Sequence, residues 1–503
     1  MLNKDSIETK LQKTFYLCNQ KISSMKLPEE FISSLQSLLG NETEPFLSSL
    51  EEDAPVSIRL NPYKAARNPM DLARTAQPVP WSEWGYYLEE RPAFTFDPLF
   101  HTGYYYVQEA SSMFVEQVVR QLVTQPSLCL DLCGAPGGKS VSMLSALPEG
   151  SLLVSNELVR QRANVLSETL IKFGDPGSVV TNNHPRDFSA FPGFFDLILV
   201  DAPCSGEGMF RKDAVAVEEW SPRNVVMCAA RQEEILGDVW STLKPGGFLV
   251  YSTCTYNRAE NEENALWAAH NLGAEFVEIQ TEEVWGITPS FLHDAVGYRF
   301  FPHKTRGEGL FVTVLRKSET ALSEADSDST TLFSSKKNRK KPSVFIKDTS
   351  AYAGWIRNPE LFDFMETDNR ITALPKAHSQ TMLSLREGLK IVSMGMEITE
   401  RKGKDLIPSH ALAMSRNLDR TAFCEVELPY GQAVAYLRKE AITLIEAPRG
   451  FILLTFHHEP IGFVKNIGNR ANNLYPNEWR IRSGYLPEVR PVILSDLSVD
   501  DHS

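Results

Sequence analysis

The chain has 503 residues, 42% hydrophobic, 10% aromatic and 23% charged, with a formal charge of −13. That composition excludes collagen-like, coiled-coil and wholly disordered chains, and the length predicts two to four domains at ~150 residues each. Net acidity argues against a surface coated with phosphate-binding cations, although a chain-wide sum says little about any one face.

The N-terminal residues Met1 to Glu8 mix charges with no apolar core, which predicts no export signal. No apolar run reaches the ~18–20 residues that a membrane span needs. Residues 29–50 place Phe31, Leu35, Leu38, Leu39, Phe46 and Leu50 at near-helical spacing, predicting a small helical start. Residues 57–62 read as a short strand stopped by Pro62. From about 128, apolar strands, Gly-rich turns and helical stretches alternate, with strands expected at 128–133, 152–155, 195–200, 248–252 and 310–315. This order predicts an α/β fold with a mostly parallel, doubly wound sheet. Residues 318–343 hold seven serines, three threonines and four acids, followed by the basic cluster Lys336, Lys337, Arg339, Lys340 and Lys341. Such a stretch buries too little apolar surface to offset its ordering entropy and reads as a flexible linker. Beyond it, 345–418 leans helical. Residues 425–490 then show short strands at 426–428, 433–436, 451–456 and 461–464, a compact β-rich module.

Seven cysteines (18, 129, 133, 204, 228, 254 and 424) are too few, and odd in number, for a disulfide framework. They fit a reducing cytosol, so the chain is expected in the cytoplasm, away from membranes.

The segment Leu130-Asp131-Leu132-Cys133-Gly134-Ala135-Pro136-Gly137-Gly138-Lys139-Ser140 runs from an apolar strand through a Gly/Pro turn into a helix. Open α/β sheets bind ligands beyond the carboxyl ends of their strands, where glycine lets backbone approach closely. Glu157 closes the next strand, where an acid can accept both hydroxyls of a ribose. The turn lacks the glycine spacing of a dinucleotide fingerprint and misses the Walker spacing by one residue. A nucleoside without a long polyphosphate fits better, and S-adenosylmethionine is the candidate.

The strand at 195–200 leads into Asp201-Ala202-Pro203-Cys204-Ser205-Gly206-Glu207-Gly208, and the strand at 248–252 into Thr253-Cys254-Thr255-Tyr256. Most cysteines are buried fillers, which suits Cys129 and Cys228. Cys204 and Cys254 instead fall in polar turns at the carboxyl ends of strands. No other Cys or His lies at metal-ligand spacing around them, so no metal site is expected.

These motifs, with Tyr106-Val107-Gln108-Glu109-Ala110-Ser111-Ser112-Met113 and Gly462-Phe463-Val464-Lys465, resemble the RNA 5-methylcytosine methyltransferases of the Nop2/Sun type. Within that family the chain is most similar to the bacterial small-subunit rRNA methyltransferase F group. The resemblance implies a Rossmann-like methyltransferase core and a C-terminal, PUA-like RNA-binding module. It divides the chain into an N-terminal accessory region (1–105), a catalytic domain (106–317), a linker (318–344) and a C-terminal region (345–503). It implies that Cys254 adds to carbon 6 of cytosine, activating carbon 5 toward the methyl group, and that Cys204 assists loss of the carbon 5 proton. Asp201 would hydrogen-bond the cytosine edge and Lys139 would lie close to the thiols. Cys133, Gly134, Ala135, Pro136, Gly137, Gly138, Lys139, Glu157, Arg162 and Asp201 would form the cofactor site. One position departs from the family: His184 stands where an acid contacting adenine aligns, so that contact falls to Asn183, His184 or Asp187.

A cytosine within a helix must be unstacked to reach such thiols, so other parts must hold the RNA. Over 436–490 eight Lys/Arg face five glutamates, a local excess of three positive charges. Lys465, Asn469, Arg470, Asn473, Tyr475, Arg480 and Arg482 are the candidate contacts, with ordinary solvated surface as the plain alternative. The expected substrate is rRNA, presented free or in a ribosomal subunit, to a monomeric enzyme. Methylation of tRNA and a non-catalytic assembly role are the rivals. On this reading, deletion of 345–503 weakens RNA binding and spares cofactor binding.

Overall fold

The alternation of short apolar strands with helices from 128 onward builds the doubly wound arrangement that the pattern predicts. The computed structural model describes residues 27–72, 75–319 and 344–496. Nearly all of the predicted linker, its basic cluster and Cys18 lie outside the described residues. Within these bounds the chain forms two compact units. The first contains 27–55, 200–240 and 248–318, and the second contains 56–199, 241–247 and the residues described from 319 on.

In the second unit, β1 (Leu128–Asp131) pairs in parallel with β2 (Leu152–Asn156) and β4 (Phe195–Asp201), and β2 pairs with β3 (Ser178–Thr181). Every residue of β2 and β3 is buried, as strands covered on both faces require. With only two apolar residues at its centre, β3 escapes the run-based prediction. Its outer edge is closed by Ile391–Met394, an antiparallel strand from beyond the linker. Two helices follow the cofactor-type turns: α1 (Gly138–Ala146) and α2 (Arg160–Phe173).

Strands β4 and β5 (Leu243–Thr253) begin in the second unit and end in the first. There β5 pairs antiparallel with β6 (Leu310–Lys317), which also takes Ala274–Phe276 and Tyr298–Phe300. The predicted helical start forms two helices, Glu29–Leu39 and Thr43–Glu51. Their Phe31, Leu35 and Phe46 enter one core with Phe210, Trp220, Tyr256 and Phe301. Phe31 lies 4.8 Å from Phe210, and Phe46 meets Tyr256 edge-on at 4.9 Å. The segments flanking both candidate cysteines are thus packed against the N-terminal helices.

The structure corrects two expectations. Residues 345–418 form a mainly antiparallel sheet, in the order Phe362–Thr367, Arg370–Pro375, Met396–Lys402, Asp405–Pro408, with a single longer helix, Ser379–Gly388. The first hairpin turns at Asp368 and Asn369, both with positive φ (51° and 63°), as residues suited to a tight hairpin adopt. The strand expected at 433–436 lies within helix Tyr430–Leu437, whose buried Ala433, Val434, Tyr436 and Leu437 follow helical spacing.

The sheet of Val56–Leu60, Gly85–Leu88 and Tyr105–Val107 shares its core with the C-terminal module: Ile58, Tyr104 and Tyr105 join Tyr436, Leu454 and Tyr475. Arg67 reaches the buried Glu459 at 2.6 Å, and Met70–Leu72 pairs with Leu494–Asp496. Tyr475, a candidate RNA contact, has no exposed surface and is a core residue.

Two of the buried bases in this unit illustrate a pH dependence that a third, His410, shares with His101. Lys64 Nζ donates to the carbonyls of Thr102 and Lys172, and burial pushes its pKa down to about 7. Burial pushes His101 down to about 3. Both bind fewer protons folded than unfolded. Stability is therefore gained as pH rises from about 3 to 6.5 through His101, and from about 7 to 10.5 through Lys64. The melting temperature is expected to climb between pH 7 and 9, with the climb flattened in Lys64→Met. A flat wild-type series contradicts this.

Candidate active site

The two candidate thiols meet because strands β4 and β5 deliver their loops to one place. Ala202 N–H donates to the Ser252 carbonyl at 2.9 Å and Gly208 N–H to the Cys254 carbonyl at 2.8 Å. A side chain on Gly208 would approach that carbonyl to 2.8 Å and the Gly309 carbonyl to 3.0 Å, so the close approach requires glycine. Cys204 Sγ and Cys254 Sγ lie 3.1 Å apart, and both residues are partly exposed. The hydrogen bond to Cys254, then burial, then the charges of Cys254 and Glu260 hold the Cys204 thiol well above the ordinary range. Either sulfur can donate to the other at this distance. Asp201, at the end of β4, accepts from Ser252 Oγ at 2.8 Å.

Two buried acids lock these loops, and sequence reasoning assigned neither a role. Glu207, on the Cys204 loop, accepts from Thr255 Oγ1 (2.6 Å), Tyr256 N–H (2.8 Å) and Asn257 N–H (3.0 Å) on the Cys254 loop. Its second oxygen accepts from Trp220 Nε1 at 3.0 Å. Glu260, following the Cys254 loop, reaches back to Ser205 N–H at 2.9 Å and to Gln232 Nε2 at 2.9 Å. Asn257 Nδ2 bridges the two acids, at 3.1 Å from Glu207 and 2.7 Å from Glu260. Burial raises the Glu260 pKa, partly offset by these donors. The available signal was an acid three residues past Cys204 and another six past Cys254, each in the polar turn that follows an apolar strand.

The glycine turn belongs to the second unit. Asp131 is wholly buried and accepts from Ser140 Oγ at 2.6 Å, while Gly134 N–H donates to the Asn156 carbonyl at 2.8 Å. Gly137 has φ +117°, and a side chain there would meet Thr169 at 2.6 Å. The peptide between Ala135 and Pro136 is cis. Glu157, 4% exposed at the end of β2, accepts from Val159 N–H at 2.8 Å and lies 3.4 Å from Arg162 Nη1. Arg162 Nη2 donates to the Ala135 carbonyl at 2.9 Å, tying the acid to the turn. Cys133, Gly138 and Lys139 are partly exposed along this turn and the start of α1. Past β3, Asp187 accepts from His184 N–H (3.0 Å) and Asn183 Nδ2 (3.2 Å). Asn183 Oδ1 accepts from Lys390 N–H at 2.9 Å, so this buried amide serves the fold at both ends. Among the described residues no group of three or more His, Cys, Asp or Glu is placed to hold a metal ion, and no helix is long and apolar enough to cross a membrane.

Of the candidate RNA contacts, Asn469, Arg470, Arg480 and Arg482 are exposed. Lys465 pairs with Asp405 at 2.6 Å, and Asn473 is held by the Tyr436 carbonyl and Tyr475 N–H.

Three family models match this chain. Residues 122–316 match the 16S rRNA methyltransferase RsmB/F model, 27–110 the N-terminal domain of 16S rRNA methyltransferase RsmF, and 423–481 the methyltransferase RsmF PUA domain. A ribosomal RNA small subunit methyltransferase F from Salmonella arizonae is 30% identical over 487 residues, spanning 92% of this chain and 98% of that protein. Its counterpart from Escherichia coli O127:H6 is 30% identical over 481 residues, 91% and 97% of the two chains. The crystal structure of PH0851 shares the fold with a TM-score of 0.51 at 23% identity, over 58% of this chain and 66% of that one.

Proposed function

This chain belongs to the 16S rRNA methyltransferase RsmB/F family, and from that premise we propose that it methylates carbon 5 of a cytosine in 16S rRNA through a covalent cysteine–cytosine intermediate. The motif resemblance and the Rossmann-like core with its PUA module agree with that membership. We place the boundaries at 1–105, 106–317, 318–344 and 345–503.

The residues present suit S-adenosylmethionine: a glycine-lined turn with room for close backbone approach, and a buried acid at the next strand end for the ribose hydroxyls. In this reading Cys133 to Lys139, Glu157, Arg162, Asp187 and Asp201 hold it. When bound, S-adenosylmethionine supplies an electrophilic methyl group on a sulfonium.

The observation that carries the reading is the pair of thiols 3.1 Å apart at the ends of neighbouring strands. Cys204 donates its hydrogen bond to Cys254, stabilising a Cys254 thiolate that adds to carbon 6 of cytosine. Addition makes carbon 5 nucleophilic and consumes the negative charge that held the Cys204 proton. Cys204, partly exposed, then releases its proton to solvent and as a thiolate accepts the carbon 5 proton after methylation. The electron pair of the broken C–H bond re-forms the 5,6 double bond and expels Cys254 as thiolate by β-elimination. Asp201 hydrogen-bonds the ring edge, and Lys139 adds positive charge favouring the thiolate. Incubation of the protein with S-adenosylmethionine and unmodified 16S rRNA, then nucleoside mass spectrometry, is expected to yield 5-methylcytidine. Methyl incorporation at another atom, or into tRNA alone, overturns the reading.

A further inference from the structure

In the first unit, the Cys254 loop runs into helix Glu262–Leu272, and the residue at the junction is Asn261. Asparagine at this position ordinarily caps the helix, its side-chain oxygen accepting from an N–H group of the first turn. Here the side chain makes no capping bond among the described residues. A carbonyl has taken over that duty: Glu263 N–H, one of the groups a capping side chain serves, donates to the Arg258 carbonyl at 3.0 Å. The Asn261 amide is thereby released for another use.

That use is to span Cys254. Asn261 Oδ1 accepts from Thr253 Oγ1, and Asn261 Nδ2 donates to the Thr255 carbonyl at 3.0 Å, so the amide grips the residues immediately before and after the cysteine. Thr253, Thr255 and Asn261 are all fully buried. A carbonyl can only accept, which fixes the amide: its nitrogen faces Thr255 and its oxygen is left for the Thr253 hydroxyl. The next residue extends the hold. Glu262 accepts from Arg299 Nε at 2.6 Å, and Arg299 Nη1 donates to the Tyr256 carbonyl at 2.7 Å. With Glu207 on the N–H groups of Tyr256 and Asn257, four successive backbone groups after Cys254 are bound by buried side chains. Where a residue forgoes its ordinary local role, a functional demand is the expected cause.

From this we infer that Asn261 is a positioning residue for the nucleophile: its amide clamps the chain on both sides of Cys254 and fixes where the sulfur points, while the Glu262–Arg299 pair braces Tyr256. Asn261 is buried, so it acts through Cys254 and not on the RNA. Addition to carbon 6 requires sulfur and carbon about 3–3.5 Å apart and aligned, and a misplacement of about 1 Å costs roughly a hundredfold in rate. The inference rests on the reading of Cys254 as the attacking thiol.

The test uses the full-length protein, unmodified 16S rRNA and S-adenosylmethionine. Asn261→Asp keeps the side chain's shape and its capacity to cap, and adds a charge that suits a helix N-terminus, but it turns an acceptor toward the Thr255 carbonyl. Thr253→Val removes the other half of the clamp with a residue that favours strands. Asn261→Asp is expected to lower kcat roughly hundredfold, and Thr253→Val to lower it by a smaller factor, with KM for RNA and for S-adenosylmethionine within about twofold of wild type. Introduced into Cys204→Ala, each change is expected to slow accumulation of the protein–RNA adduct by the factor it takes from kcat, which places the loss in the addition step. Rates are expressed per folded molecule, so Thr253→Val still reports where Asn261→Asp lowers the melting temperature. Wild-type kcat in both variants, or adduct formation per folded molecule at the parent rate, assigns Asn261 to the fold alone. Either result overturns the clamp and, with the wild-type protein still methylating carbon 5, leaves the proposed function standing. Full methyl transfer by Cys254→Ala, or none by the wild-type protein, removes both.

Discussion

Cys254→Ala is expected to abolish methyl transfer, whereas Cys204→Ala is expected to accumulate a protein–RNA adduct that survives denaturation. Removing the attacking thiolate removes the route to activated carbon 5, so the rate should fall by about a thousandfold or more. In the proposed mechanism Cys204 acts after that bond has formed. Without its sulfur, 3.1 Å from Cys254, no thiolate is at hand to accept the carbon 5 proton, and elimination stalls with RNA still attached. Addition itself should also slow, because the Cys254 thiolate loses its hydrogen-bond donor. The measurement is a denaturing gel with labelled RNA and S-adenosylmethionine: a retarded band with Cys204→Ala and none with Cys254→Ala. The opposite pattern would exchange the two roles. The Glu207–Asn257–Glu260 network makes the experiment readable, since it holds the loops together through backbone and side-chain bonds that neither cysteine provides.

A chain ending at 344 is expected to lose cooperative folding and cofactor binding together, not RNA affinity alone. This reverses the expectation drawn from the sequence and its family resemblance, for three structural reasons. The strand Ile391–Met394 closes the β3 edge, and Lys390 N–H satisfies Asn183 beside the proposed adenine side of the cofactor site. Residues beyond 344 also cap α2, where Arg416 N–H donates to the Gly174 carbonyl at 3.1 Å. Most of all, Ile58, Tyr104 and Tyr105 lie in one core with Tyr436, Leu454 and Tyr475, so truncation exposes an apolar face and an unpaired strand edge. Thermal unfolding and S-adenosylmethionine titration of the 1–344 chain decide the matter. A single sharp transition near that of the full-length protein, with unchanged cofactor affinity, would falsify this interdependence.

The parts legible beforehand were those in which local sequence and local chemistry coincide. The turn after β1 announces itself through Gly134, Pro136 and Gly137, because close backbone approach and a +117° φ leave few alternatives to glycine. Cys204 and Cys254 stand out because reactive thiols need polar turns, and those turns follow apolar strands. Glu207 and Glu260 were illegible as a pair, since their shared role exists only once two loops about fifty residues apart in sequence are brought together. The region 345–418 misled because its strands are short and amphipathic, and tertiary pairing overrides weak helical propensity there.

By itself, then, the sequence determined the α/β class, the glycine turn, the acid that closes the next strand, the two thiols and the family resemblance. These depend on period, spacing and residue type, which are local properties. Only the tertiary structure decided how those pieces support one another. The N-terminal helices pack on the thiol loops, the 56–107 sheet shares its core with the C-terminal module, and a strand from beyond the linker completes the parallel sheet. Tyr475 passed from candidate RNA contact to core residue for the same reason. Burial depends on which distant surfaces meet, and an apolar or aromatic residue carries no mark in the chain of the partner that will cover it.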